Sequence, residues 1–290
     1  MIKIGMVGVG LMGHGIAKNI VKNGWELHFL DQEGNQPTAD LIALDARPWS
    51  SAAEMAAVCD VLLLCVTGTP QVEDVLVGKG ATLAALKPGA VVVDCSTAIP
   101  SSTRELAASV RAKGCEFVDA AMTRTPKEAE EGRLNLLVGG EAATIEQLRP
   151  LLECFAENIF LAGSVGSGHQ LKLVHNIISL GTVTLIAEVA ACAIEDGMDV
   201  VAMVDCLRKG GGGGAALERV APYILEGNSE LLRFTIQNAY KDAGYYNQMA
   251  TELGAAQLMA QAVQDTLGGL VKRGEGNAFM PEQVKLLQKV

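Results

Sequence analysis

Three glycines near the start of the chain have the spacing of a loop that binds the phosphates of a dinucleotide. Gly8, Gly10 and Gly13 follow a strand-like run at residues 2–7 and open a helix-like run at residues 12–22. In such a loop, Gly8 permits a tight turn, Gly10 lets a pyrophosphate approach the backbone, and Gly13 lets the helix pack closely on the strand. The free amides and the positive dipole end of the helix then face the phosphates. The motif in this context predicts a dinucleotide site.

An acidic residue stands where the second strand of such a fold ends. Asp31 directly follows the strand-like run 26–30, and the next residues are Gln32 and Glu33 rather than an arginine. A carboxylate here accepts hydrogen bonds from the ribose hydroxyls and repels a 2′-phosphate. The sequence therefore predicts NAD as the cofactor and makes NADP the less favoured alternative.

A lysine and an asparagine four residues apart could carry the chemistry. Lys172 and Asn176 lie near the start of a segment at residues 169–196 that we expect to be helical, so their side chains share one helical face. An ammonium beside a carbonyl polarises the oxygen and supplies the proton that must accompany hydride transfer to carbon. Burial would lower the pKa of such a lysine towards neutrality. Taken alone, Lys172 is more simply interpreted as a surface lysine at a helix start.

The elements that must position these residues change character near residue 163. Before it, short apolar runs alternate with helix-like segments, which predicts a mostly parallel sheet covered on both faces. The predicted strands are residues 2–7, 26–30, 61–66, 90–94, 116–120, 134–138 and 159–161. After residue 163 strand candidates are few, and the five glycines at 210–214 predict a loop. We therefore predict a Rossmann-type, doubly wound α/β domain that binds NAD over residues 1–163. An all-helical domain for substrate binding and dimerisation follows over residues 164–290.

Composition and charge exclude several classes of protein. The chain has 290 residues, 49% of them hydrophobic, with a net charge of −10 and a sequence pI of about 5.0. This acidic balance argues against a nucleic-acid or anionic-membrane surface. The most apolar stretch, residues 177–194, contains Glu188, which would be costly in lipid. We expect no membrane span there, but a helix buried between domains or subunits.

The seven cysteines indicate a reducing compartment. Their number is odd, none forms a C-x-x-C pair, and most lie in apolar surroundings. Reduced, buried thiols in a cytoplasmic protein explain this pattern best. Met1 is followed by a strand-like run without a basic leader, so we expect no signal peptide. We also expect no metal site, because His175 has no second histidine or cysteine at ligand spacing.

These motifs, in this order, resemble those of the β-hydroxyacid dehydrogenase family, which includes 3-hydroxyisobutyrate dehydrogenase and tartronate semialdehyde reductase. The similarity runs over almost the whole chain. The matching segments are the glycine loop 4–13, the D-x-S-T segment 94–97, the G-x-G-x-x-x-K-x-x-N-N motif at 166–176 and the K-D pair 241–242. His175 replaces the first asparagine of the long motif. The resemblance implies that Lys172 is the general acid/base and that Asn176 fixes the substrate oxygen or the lysine.

The chain departs from the family in the segment that holds the substrate. Thr123, Arg124 and Thr125 stand where Ser-Gly-Gly is usual. Arg124 offers a planar fork of donors for a carboxylate, sulfonate or phosphate, and the threonines add hydroxyl donors. A similar Arg-Thr replacement occurs in a subgroup that looks like 3-sulfolactaldehyde reductase, in which a substrate-contacting serine matches Ser179. The alternative is a surface ion pair between Arg124 and a nearby glutamate, Glu128 or Glu130.

Further residues are assigned by their position at strand ends or by the resemblance. Ser96 and Thr97 lie at a predicted strand end, where such sheets bind ligands. We place Ser96 with the substrate and Thr97 with the cofactor, although either could cap the helix predicted near Ser101. Lys241 matches a family residue near the cofactor or substrate, and a solvent-exposed lysine is its alternative. The remaining predicted cofactor contacts are Leu11, Met12, Val66 and Thr67.

The leading hypothesis is an NAD-dependent enzyme that interconverts a small acidic 3-hydroxy acid and its semialdehyde. The substrate would be of the 3-hydroxyisobutyrate, tartronate semialdehyde or sulfolactaldehyde type. Two alternatives share the architecture, namely an imine reductase and a non-catalytic NAD-binding scaffold. Imine reductases of this type usually lack the lysine, so Lys172 argues against the first. Scaffold relatives can lose the lysine while keeping the glycine loop, so Lys172 and Asn176 argue against the second. The resemblance also implies a homodimer or homotetramer.

Overall fold

The computed structural model describes residues 2–288, which divide into two compact units. The first ends at Lys172 and the second begins at Leu173. The last strand ends at Gly163, where the sequence pattern changes from alternating strands and helices to helices alone. The two compact units therefore divide a little after that change, inside a helix, and the predicted domain boundary at residue 163 stays a prediction.

Eight strands of the first unit form one sheet. They are β1 (Lys3–Val7), β2 (Glu26–Leu30), β3 (Arg47–Trp49), β4 (Val61–Leu64), β5 (Val91–Asp94), β6 (Glu116–Thr123), β7 (Leu134–Gly139) and β8 (Ala156–Gly163). The spatial order is β3-β2-β1-β4-β5-β6-β7-β8, and every neighbouring pair is parallel except β6 and β7. This confirms the predicted Rossmann-type, mostly parallel sheet. Strand β3 was not predicted, because it is a three-residue edge strand whose Pro48 weakens any strand signal.

Helices cover both faces of this sheet, as a parallel sheet requires. In the first unit they are α1 (Gly13–Lys22), α2 (Ala39–Ala43), α3 (Ala52–Val58), α4 (Thr69–Leu76), α5 (Thr82–Ala85), α6 (Pro100–Arg111), α7 (Pro126–Glu130) and α8 (Ala142–Leu152). Two hydrophobic clusters result. One contains Ile16 and Phe29, and the other contains Leu62, Val110 and Phe117. Strands β4 and β5 are apolar almost throughout because both of their faces are buried.

The sheet is stepped at β6. Residues Leu64, Asp94 and Asp119 stand side by side in register at the carboxyl ends of β4, β5 and the lower half of β6. Strand β6 then continues to Thr123, and this upper half pairs antiparallel with β7, so that Thr123 faces Asn135. Strands β7 and β8 therefore extend the sheet beyond the carboxyl edge of the parallel strands, where ligands bind in such folds.

The second unit is all-helical. The long helix α9 (Ser167–Glu195) begins in the first unit and continues into the second. It is followed by α10 (Val200–Lys209), α11 (Ala215–Glu226), α12 (Ile236–Glu252), α13 (Leu258–Lys272) and α14 (Gln283–Leu286), with short 3₁₀ turns at Glu230–Leu232 and Met280–Glu282. The five glycines form the loop between α10 and α11, as predicted.

Helix α9 is long and apolar enough to cross a membrane by length and composition alone, with a mean hydropathy of 2.1 in its most apolar window. Core helices pass the same test. In the second unit one face of α9 contributes Val183, Ala187 and Ala190 to the hydrophobic core, so the buried-helix interpretation accounts for its composition.

The cysteines are all unpaired. Cys59, Cys95 and Cys115 are buried, whereas Cys192 and Cys206 are exposed on the second unit. The expectation of buried thiols therefore holds for Cys59, Cys95 and Cys115 and is wrong for Cys192 on α9 and Cys206 on α10. Cys65 and Cys154 are half-buried.

Candidate active site

The glycine loop leaves open space where a phosphate group would approach. Gly8 has a φ of +97°, and a Cβ there would lie 2.2 Å from the carbonyl oxygen of Cys65. A Cβ on Gly13 would lie 2.0 Å from the carbonyl oxygen of Gly8, whereas a Cβ on Gly10 would meet nothing within 4 Å. The side chain of Met12, the N-cap residue of α1, makes no capping hydrogen bond. Gly8 and Gly13 therefore allow close backbone packing, whereas Gly10 borders open space at the start of α1, where a helix N-terminus can bind a pyrophosphate.

Asp31 lies directly beyond β2 with its side chain exposed. Its backbone N–H donates to the carbonyl of Trp49 at 2.8 Å, which orders the start of the turn. The side chain of Asn35 joins this turn to the glycine loop, because its Oδ1 accepts from Val9 N at 3.3 Å and its Nδ2 donates to Leu30 O at 2.9 Å. Asn35 was not among the predicted site residues, because its only signal in the sequence is that of a turn-forming residue after a strand.

The ends of β4 and β5 are joined by a side chain predicted to contact substrate. Ser96 Oγ accepts from the backbone N–H of Val66 at 3.0 Å. This hydrogen bond brings Ser96 next to Val66. The half-buried Thr97 directly follows Ser96, and the exposed Thr67 directly follows Val66. Neither Ser96 nor Thr97 caps α6, whose N-cap is Ile99. The helix-cap alternative is therefore wrong for both.

The start of α9 is fixed to the carboxyl edge of the sheet. Asp119 is fully buried at the row where β6 meets β5, and its two carboxylate oxygens accept from Gly166 N at 2.7 Å and His169 N at 2.8 Å. A Cβ on Gly168 would lie 2.4 Å from Leu137 O, so the first turn of α9 packs directly against β7 of the sheet. Lys172 follows on the next turn, half-buried, in the same compact unit as the glycine loop.

Contacts therefore continue along the sheet edge from the glycine loop to the start of α9. Gly8 abuts the end of β4, Ser96 ties that end to β5, and Asp119 on β6 holds the helix that carries Lys172. Residues far apart in the chain meet here because the carboxyl ends of parallel strands share one edge.

In the second unit, Asn176 is held by Asp242, which was not among the predicted site residues. Asn176 is buried, and its Nδ2 donates to Asp242 Oδ2 at 2.7 Å. Lys241 Nζ lies 3.0 Å from Asp242 Oδ1 and 5.1 Å from the ring centroid of Tyr245. Asn176 and Lys241 are thus brought to one carboxylate, so Lys241 is not a solvent-exposed lysine. The K-D pair in the sequence was the available signal. Ser179 is half-buried on α9.

The three residues at the end of β6 all have partners within the protein. Thr123 is buried and its Oγ1 accepts from Asn135 Nδ2 at 3.1 Å. Thr125 begins α7, and its backbone N and Oγ1 both donate to the Glu128 carboxylate, at 3.0 and 2.5 Å. A substrate anion would have to compete with Glu128 for the two donors of Thr125, whereas the Thr123 hydroxyl acts as an acceptor here.

Arg124 combines an unusual backbone with an ion pair. Its φ is +84°, in the region that favours glycine, and it occupies the position of a glycine in the family motif. Its Nη1 donates to Glu157 and to the carbonyl of Arg133. The Arg124 hydrogen bond and charge lower the pKa of Glu157. The predicted alternative partners, Glu128 and Glu130, are therefore not the ones that this guanidinium contacts.

A charged cluster lies beside the glycine loop. His14 on α1 places Nδ1 2.9 Å from Glu130 and Nε2 3.0 Å from Asp40, and Lys18 Nζ lies 3.1 Å from Glu130. Burial lowers the pKa of His14, but the hydrogen bonds and charges of the two carboxylates outweigh it and raise the pKa overall. The cluster joins α1, α2 and α7 next to a cavity of about 500 Å³ that Leu11 also lines.

Comparison with known proteins matches the two halves of the chain to two family models. Residues 3–163 match the NAD binding domain of 6-phosphogluconate dehydrogenase. Residues 166–287 match a model described as "NAD-binding of NADP-dependent 3-hydroxyisobutyrate dehydrogenase". The first alone covers more than half of the chain.

Individual relatives agree over nearly the full length. The NAD-dependent L-serine dehydrogenase of Pseudomonas aeruginosa is 32% identical over 269 residues, covering 90% of this chain and 86% of that protein. The 2-hydroxy-3-oxopropionate reductase of Escherichia coli is 32% identical over 267 residues, covering 91% and 87%. The crystal structure of 3-hydroxyisobutyrate dehydrogenase from Salmonella typhimurium has a TM-score of 0.85 at 25% identity, covering 99% of this chain and 100% of that one.

Proposed function

This chain belongs to the β-hydroxyacid dehydrogenase family, and from that premise we propose that it transfers a hydride between NAD and a small acidic 3-hydroxy acid or its semialdehyde. One observation carries the proposal. The glycine loop and the turn of α9 that bears Lys172 are joined by continuous contacts along the carboxyl edge of one sheet. A cofactor site and an ammonium group on a single rigid edge are what coupled hydride and proton transfer needs.

Lys172 is the proposed proton-transfer residue. The open face of Gly10, the uncapped start of α1 and Asp31 would hold the dinucleotide. The bound nicotinamide supplies the hydride in reduction and accepts it in oxidation. In reduction, Lys172 polarises the carbonyl oxygen and donates the proton that makes it a hydroxyl; in oxidation it takes that proton back. Asn176, held by Asp242, orients the substrate oxygen.

NAD is the proposed cofactor rather than NADP. The support is the exposed carboxylate of Asp31 directly beyond β2, where a ribose 2′-hydroxyl would be bound and a 2′-phosphate repelled. The neighbouring Gln32 and Glu33 offer no cation to neutralise a phosphate. We expect kcat/KM to be clearly higher with NADH than with NADPH, and the opposite preference would remove this part of the proposal.

The proposed substrate is a short semialdehyde with a carboxylate or sulfonate at its other end. The support is the cationic Arg124 at the substrate-binding position of the family, flanked by Thr123 and Thr125. Because Arg124 is paired with Glu157, the substrate anion would replace a carboxylate that the guanidinium already binds. We further assign Ser96, Ser179 and Lys241 to the substrate and Lys241 also to the cofactor.

We also propose that the protein works in the cytoplasm as a homodimer or homotetramer. The seven unpaired cysteines suit a reducing compartment. An exposed apolar stripe on α9, formed by Val174, Ile178, Leu185 and Val189, suits a second copy of the chain better than water.

A kinetic screen tests the proposed reaction. NADH oxidation is measured with semialdehydes of the glyoxylate, succinate, malonate and sulfonate types, including tartronate semialdehyde and sulfolactaldehyde. Lys172→Ala should lower kcat by about 10²- to 10⁴-fold, the usual share of a general acid, while the Kd for NADH stays unchanged. Lys113→Ala, which removes an exposed lysine of the same unit, is the matched control. Near-normal turnover by Lys172→Ala would refute the assignment.

A further inference from the structure

A buried imidazole lies beneath the helix turn that carries Lys172. The side chain of His169 is 0% exposed. Its Nδ1 lies 2.7 Å from Thr103 Oγ1 on α6, and its Nε2 lies 3.8 Å from Asp94 Oδ2 at the end of β5. Histidine is less often fully buried than apolar residues, and a ring buried between two polar side chains depends on them to satisfy its nitrogens.

Asp94 is likewise buried and has an unpaired polar atom. It is 1% exposed, and its Oδ1 accepts from the backbone N–H of Ser96 at 2.9 Å. Neither Asp94 Oδ2 nor His169 Nε2 has a hydrogen-bond partner among residues 2–288. Buried polar atoms are nearly always paired because losing water without a replacement is costly. Here the two unpaired atoms face each other at a separation about 1 Å longer than a charge-assisted hydrogen bond.

The hydrogen bonds on the other side of the ring assign its protons. Thr103 Oγ1 lies 3.1 Å from Ile99 O, the carbonyl one helical turn earlier, to which it donates its only hydrogen. It therefore accepts from His169, so Nδ1 carries a hydrogen. A neutral ring in this tautomer would turn the lone pair of Nε2 towards a carboxylate. One further proton between Nε2 and Asp94 Oδ2 converts this repulsion into a bond. Burial raises the pKa of Asp94 and so favours such a proton.

We propose that Asp94 and His169 share one buried proton and that this pair positions the turn of α9 that carries Lys172. Both are positioning residues, and the inference rests on the proposed role of Lys172 in proton transfer. His169 precedes Lys172 by three residues, so they lie on neighbouring parts of one helical face. A shift of the helical turn that His169 anchors would therefore move the base of the Lys172 side chain.

The same carboxylate reaches the other side of the site. Asp94 Oδ1 holds the backbone of Ser96, whose hydroxyl in turn accepts from Val66 N. Asp94 thus sets the loop that faces the proposed substrate and, through His169, the helix that bears the proposed acid. A displacement of about 1 Å between such groups can cost about a hundredfold in rate, so we expect disruption of the pair to lower turnover.

Other ionisable groups of the first unit also lie near the pair. Asp119 on β6 uses both oxygens on the backbone of α9, and Arg104 on α6 lies close to Gly166. The thiols of Cys65 and Cys95 lie beside Asp94, and burial raises the pKa of Cys65 to about 12 and that of Cys95 well above its ordinary range. Because Lys172 also lies one helical turn from His169, the imidazole itself must be observed to assign the shared proton.

Nitrogen-15 NMR of the imidazole rings tests the proton directly. The chain has only four histidines, so His169→Gln identifies the signal by subtraction. We expect an exchange-protected proton coupled to Nε2 of His169 in the wild type, and its loss in Asp94→Asn. An Nε2 shift of a free lone pair, unchanged by Asp94→Asn, would overturn the proposal. This readout needs no turnover, so it stands even if no substrate in the kinetic screen is reduced.

Kinetics test the positioning role. His169→Gln and Asp94→Asn should lower kcat by about tenfold to a hundredfold and alter its pH profile, with the KM for NADH within about twofold. His28→Gln is the matched control, because it removes another buried histidine of the same unit that bonds Trp49; it should lower the thermal midpoint but not kcat. A shared proton with unchanged kcat in His169→Gln would leave a purely structural pair and overturn the positioning role.

Discussion

At the scale of single residues, Arg124 shows how a binding group can conflict with its backbone. Its φ of +84° belongs to the region that glycine adopts freely and that costs other residues about 1–2 kcal/mol. The guanidinium bonds to Glu157 and the Arg133 carbonyl offset part of that cost. A residue that is locally unfavourable and carries a charge matched to the proposed substrate is more readily explained by function than by stability.

Replacing Arg124 with either glycine or alanine separates these two roles. Both changes remove the guanidinium, so both should raise the KM for an anionic substrate by roughly tenfold or more, the loss of one charge-assisted bond. Only glycine suits the backbone, so Arg124→Gly should be more stable than Arg124→Ala by about 1 kcal/mol. Steady-state kinetics and thermal unfolding measure the two effects. Equal stability of the variants would show that the positive φ is not retained in solution.

At the scale of elements, the glycines of the loop have different structural roles although they look alike in the motif. A Cβ on Gly10 meets open space, whereas a Cβ on Gly13 meets the backbone of Gly8 at 2.0 Å. Gly10→Ala should therefore leave the thermal midpoint nearly unchanged and weaken NADH binding, because the methyl group occupies the phosphate site. Gly13→Ala should destabilise the first unit by about 1–3 kcal/mol, as overpacking does.

Calorimetry of NADH binding and of unfolding distinguishes the two variants. Gly24→Ala is not a suitable control, because Gly24 has a positive φ and an alanine there would strain the backbone. Gly269→Ala is better matched, since Gly269 lies within α13 and a Cβ there meets nothing within 4 Å. A Gly10→Ala protein that binds NADH as the wild type does would contradict a phosphate site at this loop.

The cluster that joins α1, α2 and α7 should make stability depend on pH. The pKa of His14 is raised above its ordinary 6.5, so its contribution is complete below about 6.5 and is lost as pH rises through the raised value. Burial acts to raise the pKa of Asp40 and Glu130, but the His14 and Lys18 bonds outweigh it. Their pKa values fall below the ordinary 3.8 and 4.5, so their contribution is lost as pH falls through the lowered values. The cluster should therefore stabilise most between about pH 4.5 and 6.5.

His14→Gln tests this dependence. At pH 6 it should lower the free energy of unfolding by only about 1 kcal/mol, because solvent screens the two partly exposed carboxylates. That is roughly 2 °C in the thermal midpoint, and the difference should shrink by pH 9. In a background carrying Asp40→Asn and Glu130→Gln, the same change should have little effect at either pH. A cost that is equal at pH 6 and pH 9 would contradict a charged His14.

At the scale of the whole molecule, the exposed face of α9 is the feature that a single copy of the chain does not explain. Ile178 is 65% exposed and Leu185 57% exposed, on a helix whose opposite face forms the core of the second unit. Single exposed apolar residues are common, but a continuous stripe marks an interaction surface.

Charge on this stripe should shift the oligomeric state. The double variant Ile178→Glu and Leu185→Glu should sediment as a smaller species than the wild type, because two carboxylates would have to be buried in the contact. Val77→Glu, which alters an isolated exposed valine of the first unit, is the matched control. Light scattering coupled to size-exclusion chromatography also measures the mass. A monomeric wild type at micromolar concentration would rule out the proposed homodimer or homotetramer.

The sequence by itself determined the features that depend on short-range pattern. Apolar runs predicted seven of the eight strands, and the glycine spacing predicted the loop after β1, because burial on both faces and tight turns impose local composition. The motif around Lys172 likewise indicated a helix start. The strand it missed, β3, is too short to leave a periodic signal.

Only the tertiary structure decided which side chains meet. Asn176 pairs with Asp242, Arg124 with Glu157 rather than with its nearer neighbours, and His169 faces Asp94. The antiparallel pairing of β6 with β7, which sets the step in the sheet, also lay beyond the sequence pattern. The reason is physical. Periodicity records whether a residue is buried, but the identity of a distant partner depends on strand order and register, which long-range packing sets.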